Sequence, residues 1–189
     1  MLEKDGKGYK LKYFRRVIGF ICSRLLIACC VLGLMIIAFY YSMNASNIYV
    51  VLKDGMARRA QVIMTGENSD LLPDYFSNAY LESDQDRDLK NALNGINIYR
   101  YFYDITGFDH RVSLKWVWNW PWKDTATATV VESIPSVDGK LKTDKKTEAA
   151  LRSDVPSQPV WRSIRYEVTL NRKNDRWMIT RMQVLEIED

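Results

Sequence analysis

Between Leu25 and Met43 the chain carries no charged residue, whereas other stretches of similar length are studded with charge. Those nineteen residues would form a helix about 28 Å long, close to the thickness of a bilayer hydrocarbon core. Past them, Ile48, Val51, Leu52, Met56, Ala60 and Ile63 recur at helical spacing, with Lys53, Asp54, Arg58 and Gln61 on other faces. This predicts an amphipathic helix that continues or restarts after the apolar run. A break at Thr65 to Asn68 precedes LLPDYFSNAYL, read as a second helix capped by Ser69 or Asp70, with Leu72, Phe76 and Tyr80 on one face. Asp86 and Asp88 then start a short helix, DLKNALNG.

From Ile96 the period changes to two. Tyr99, Tyr101 and Tyr103 alternate with Arg100, Phe102 and Asp104, and after Gly107 the phase His110, Val112, Leu114, Trp116, Trp118, Trp120, Trp122 predicts a long strand. In that phase Trp116 is expected to pack inside, while Trp118, Trp120 and Trp122 either line the core or protrude as a partner or membrane-interface patch. Pro121 ends regular pairing, and TATATVVESI is a second strand. Residues 135–159 are polar and are read as one long loop, with a turn at Asp138-Gly139 and a one-turn helix near Glu148 to Arg152. Ile164, Tyr166, Val168 and Leu170 alternate cleanly, Asn174-Asp175 centres a hairpin turn, and WMITRMQVLEI returns. Trp177 and Ile179 lie in one phase and Met182 and Val184 in the other, so a bulge between them is expected.

Charge gives the apolar run a direction. Up to Arg24 there are seven basic residues against Glu3 and Asp5, and after Met43 there are 20 basic and 21 acidic residues, so the net +4 comes from the amino-terminal tail. Lys10, Lys12, Arg15, Arg16 and Arg24 act as topology anchors under the positive-inside rule, and a nucleic-acid partner is not expected. The apolar core is too long for a cleaved signal peptide and is crowded by Tyr40, Tyr41 and Met43 at its exit. The chain divides into a basic cytoplasmic tail (1–16), a transmembrane signal anchor (17–43) and an extracytoplasmic α+β domain (44–189). The localisation expected is a single-pass membrane protein with its amino terminus in the cytoplasm.

Catalytic chemistry is sparse. All three cysteines, Cys22, Cys29 and Cys30, fall in or beside the apolar run, leaving the outer domain without a disulfide or thiolate site. Cys22 is either a palmitoylation site or a plain thiol. Asp84, Asp86 and Asp88 mimic calcium-loop spacing, but Leu89 stands where the loop needs Gly and Gly95 where it needs Glu. With one histidine, zinc is not expected, no cofactor is implied, and no phosphate-loop or dinucleotide fingerprint is present.

The helices followed by long antiparallel strands, ending in YEVTLNRKNDRWMITRMQV, resemble the nuclear-transport-factor-2-like fold over about residues 46–189. The resemblance implies a cone-shaped curved antiparallel sheet packed on amino-terminal helices. A basic tail, one crossing and such an outer domain resemble the bitopic scaffold proteins of type IV secretion and conjugation machines. This implies a non-enzymatic assembly subunit whose partners are the lipid bilayer, other envelope proteins and, as one option, a second copy in a homo-oligomer. The alternative is a small-molecule or isomerase-like pocket in the cone built from Tyr101, Tyr103, Asp109 and His110. Fold alone does not choose between them.

Overall fold

A computed structural model describes residues 6–152 and 155–188, with side chains from Tyr13 onward. Lys4 lies outside the described residues, as do the side chains of Lys10 and Lys12. The chain forms two compact units that meet between Met43 and Asn44. In the first, residues 6–43 belong to helix α1 (Gly6–Thr65). Its apolar side chains are open, Leu26, Leu34 and Phe39 being each about two-thirds exposed (64%, 66% and 66%). A helix of this length and composition is compatible with one membrane crossing. Arg24 sets its guanidinium 4.8 Å from the Phe20 ring centre.

The second unit is α+β. Its four-stranded antiparallel sheet has the order β2 (Arg111–Asn119), β3 (Thr125–Ser133), β5 (Ser163–Lys173), β6 (Arg176–Glu188), and it is open, with β2 and β6 at its edges. A separate ribbon pairs β1 (Tyr103–Phe108) with β4 (Val137–Leu141). Residues 44–65 of α1 bury Ile48, Leu52, Met56 and Ala60, one per turn on a single stripe. The first three join Ala126, Ala128 and Val130 of β3, Tyr166, Val168 and Leu170 of β5, and Trp177, Ile179 and Met182 of β6 in one core. Burial of that apolar surface is the main favourable term for the domain.

The β5–β6 hairpin follows its sequence closely. Asn174 and Asp175 both take positive φ, 51° and 59°, as a two-residue type I′ loop requires, and Asn and Asp tolerate that conformation better than most residues. Thr169 faces Arg181 and Leu170 faces Ile179, so Thr180 is the extra residue of a bulge. That bulge brings Ile179 and Met182 to the same buried face although they are three apart.

Elsewhere the structure departs from the sequence expectations. LLPDYFSNAYL is not one helix: a 3-10 turn (Ser69–Asp74) is followed by Phe76 in a parallel bridge to Ile179, then by α2 (Asn78–Glu82), capped by Ser77. Leu72, Phe76 and Tyr80 are nonetheless all buried. Residues Ile98–Phe102 form helix α4 rather than a strand, because the Asn97 side chain caps the Arg100 N–H. Tyr99 of α4 and Tyr103, where the chain turns extended into β1, then lie with ring centres 6.4 Å apart. The segment 135–159 is not one loop either. It supplies β4, where Asp138 and Gly139 sit in the ribbon instead of a turn, and helix α5 (Lys146–Ala150). Helix α3 (Arg87–Leu93) starts as expected at Asp86.

Gly55 is set by packing. A Cβ there would lie 3.0 Å from Tyr75 Cβ and 3.3 Å from Ile179 Cδ1. Although Ala is the better helix former, Gly55→Ala is therefore expected to destabilise the domain by about 1–3 kcal/mol, measured by denaturant unfolding; a gain in stability would show that the contact is slack.

Candidate functional site

Two groups of side chains stand out, one sealed inside the domain and one on its surface. The inner group is centred on Arg59, on the core stripe of α1. It reaches Asp86 through Nε and through Nη2 (3.2 Å to Oδ1), and Glu132 of β3 through Nη1 (3.3 Å to Oε2). His110 Nε2 lies 2.9 Å from the other Glu132 oxygen. Tyr80 OH donates to Asp86 Oδ2 (3.1 Å), and the Leu89 N–H caps Oδ1 (3.0 Å). The rings of Trp161 and Tyr166 each have their centres 5.8 Å from the guanidinium carbon. Glu132 is fully buried and the Arg59 side chain is 6% exposed.

Burial by itself would lower the Arg59 pKa, but Asp86 and Glu132 outweigh it and hold the guanidinium charged. Burial likewise opposes ionisation of Asp86, yet the Arg59 charge, with hydrogen bonds from Arg59, Leu89 and Tyr80, keeps its carboxyl below the ordinary range. Burial pushes Tyr166 up to about 12, with Arg59 acting in the opposite direction. Arg59 and Asp86 thus hold one another in their charged states, as a buried structural tie does.

The sequence candidates for a pocket are not brought together. Tyr101 is exposed, donating to Glu148 Oε2 (3.1 Å) and receiving a bond from Lys145 Nζ (2.6 Å). Tyr103 is buried and donates to Pro156 O at 2.5 Å. Asp109 pairs at the surface with Arg111 (2.5 Å), and His110 belongs to the inner network. A cleft of about 620 Å³ is lined by residues that include Gln61, Arg100, Tyr103, Asp104 and Lys142, but by none of Arg59, Asp86, His110 and Glu132. Among the described residues no group of three His, Cys, Asp or Glu side chains could hold a metal ion.

The outer group is the tryptophan row. Trp116 is 53% exposed, Trp118 52%, Trp120 41% and Trp122 68%, so the expectation that Trp116 packs inside is overturned. The cause is a bulge in β2: Leu114 faces Val130 and Trp116 faces Thr129, leaving Lys115 as an extra residue. Ahead of it His110, Val112 and Leu114 turn inward; after it Val117 and Asn119 do, and the tryptophans turn out. Trp116 and Trp118 stack at 6.1 Å with an 8° interplanar angle, Trp118 and Trp120 at 6.4 Å and 24°, and Trp120 meets Trp122 edge-on at 5.5 Å.

Sequence reasoning passed over the inner network, although a signal existed. Arg59 occupies a core-phase position three residues after Met56, and Glu132 continues the buried phase Ala126, Ala128, Val130. A charge in the core phase of a helix and another in that of a strand can be buried at tolerable cost only when paired. Asp86, read from sequence only as the start of a short helix, is the third member.

The chain matches no protein-family model, no curated protein and no solved structure.

Removing the cation should leave two buried carboxylates uncompensated, so Arg59→Met is expected to cost about 3–5 kcal/mol in denaturant unfolding; a loss below 1 kcal/mol would mean the network is not a tie. A second expectation follows from Asp86. Its folded pKa is depressed, so its stabilisation is complete above the unfolded value of about 3.9 and is lost as pH falls through the lower folded value. Stability measured between about pH 5 and pH 2 should therefore fall less steeply in Asp86→Asn than in the parent; identical slopes would remove Asp86 from the acid response.

Proposed function

We propose that this protein is a membrane-anchored, non-enzymatic assembly or interaction subunit of a multiprotein bacterial envelope complex of the secretion or conjugation type. Its basic amino terminus lies in the cytoplasm and the domain after Met43 lies outside. The observation that carries this reading is the tryptophan row: four large aromatic side chains, about half open to solvent and in contact ring to ring, two on an edge strand of the sheet and two in the turn that follows it. Trp is the residue most enriched at the centres of protein interfaces, and rings already held by their neighbours lose little freedom on docking. The resemblance to a nuclear-transport-factor-2-like scaffold belongs to the same proposal, supported by the order of helices before an open antiparallel sheet.

A second reading, a ligand-binding domain, draws on the cleft containing Arg100, Tyr103 and Lys142. The double variant Trp118→Ala, Trp120→Ala separates the two. In the full chain it removes three ring pairs, worth about 0.5–1.5 kcal/mol each, and in the folded protein it is expected to lower co-purification with envelope partners at least about tenfold. Unchanged partner recovery would contradict the interaction reading and leave the cleft as the stronger candidate.

A further inference from the structure

The tryptophan row is not charge-neutral ground. From His110 to Lys123 the sequence holds Arg111, Lys115 and Lys123 and no acidic residue. Arg111 is matched by Asp109, and Asp124 by Arg172. Lys115, the bulge residue, and Lys123, next to Trp122, are both exposed, and no ion pair is formed by either among the described residues. The strand register extends this picture across the sheet. Trp116 and Trp118 face Thr129 and Thr127 of β3, which in turn face Glu167 and Thr169 of β5. The first carboxylate on that face is thus two strands away from the row.

The polar side-chain groups of the four tryptophans and the two lysines are all donors, indole N–H groups and two ammonium groups, none of which can accept. Their complement is therefore rich in acceptors and negative charge. Lys115 and Lys123 are no more than about 26 Å apart along an extended chain, the length of about eight residues. Resting on the interaction reading above, we infer that the ridge binds an acidic segment of another envelope protein, in which apolar or aromatic side chains lie on the stacked indoles and carboxylates flank them at Lys115 and Lys123. A second copy of the chain does not fit through this face, because two rows would bring Lys115 and Lys123 against the same charges. A lipid surface shares the anionic chemistry. However, β2 is an edge strand, and hydrocarbon would strip water from its backbone edge without supplying hydrogen bonds.

The experiment is site-specific photo-crosslinking of the full chain in its native membranes, with benzoylphenylalanine replacing Trp120 and the crosslinked peptide mapped by mass spectrometry. It is run in the parent background and in Lys115→Glu, Lys123→Glu, at low and high salt. The expected result is an adduct on a net-negative peptide of a different protein, its yield falling at least about fivefold on charge reversal and falling with salt. A protein adduct on a neutral or basic peptide, or one insensitive to both changes, overturns the acidic-segment inference and leaves the interaction reading standing. An adduct on a second copy of the chain also overturns the inference. Lipid adducts alone overturn both.

Discussion

Arg59 is the charge around which the domain after Met43 is arranged. It projects from the core stripe of α1 and holds Asp86, which begins α3, and Glu132 of β3, which in turn meets His110 just before β2. Helix, connecting segment and sheet are thus joined by one buried cation. Buried ion pairs are a poor source of net stability, but they punish misregistration, since a displaced partner leaves a charge alone in a low dielectric. Sliding β3 by one residue would turn Glu132 out of the core and expose the whole phase Ala126, Ala128, Val130.

That fixed register gives the bulge at Lys115 its effect. β2 pairs with β3 from Arg111 to Asn119, and one inserted residue between Leu114 and Trp116 reverses which side chains face the helices. The same period-two pattern that would build an aromatic core therefore builds an aromatic surface. Without the insertion, Val112 and Leu114 would share a face with Trp116 and Trp118, and the inner layer would have to accommodate two more indoles.

Much of this architecture was legible from residues. The charge-free run, the Asp86 start of α3, the Asn174-Asp175 loop and the phase slip at Thr180 each leave a local signature that acts through neighbours in sequence. What was hidden acts across it. Helix α4 was masked because its five residues, Ile98 to Phe102, are too few to separate a helix period from a strand period, until the Asn97 cap decides. Strand β4 was masked because Val137, Gly139 and Leu141 lie among lysines and gain their place only by pairing with β1. The β2 bulge leaves no composition signal, since Lys115 looks like any polar residue of an alternating strand. The inner network was visible only as charges out of phase, and its members lie 27 and 73 residues apart in the chain.

The ridge of Trp116, Trp118, Trp120 and Trp122 is open to water. All six tryptophans fall between Trp116 and Trp177, so intrinsic tryptophan fluorescence reports on the domain after Met43 alone. The direct measurement is quenching of the full chain in proteoliposomes by aqueous iodide and, separately, by brominated acyl chains. Four half-exposed indoles predict that iodide removes most of the emission and bromolipid little of it, with the iodide-sensitive part lost in a variant replacing Trp116, Trp118, Trp120 and Trp122 by Ser. Emission shielded from iodide but quenched by bromolipid would place the ridge in the bilayer and contradict the account.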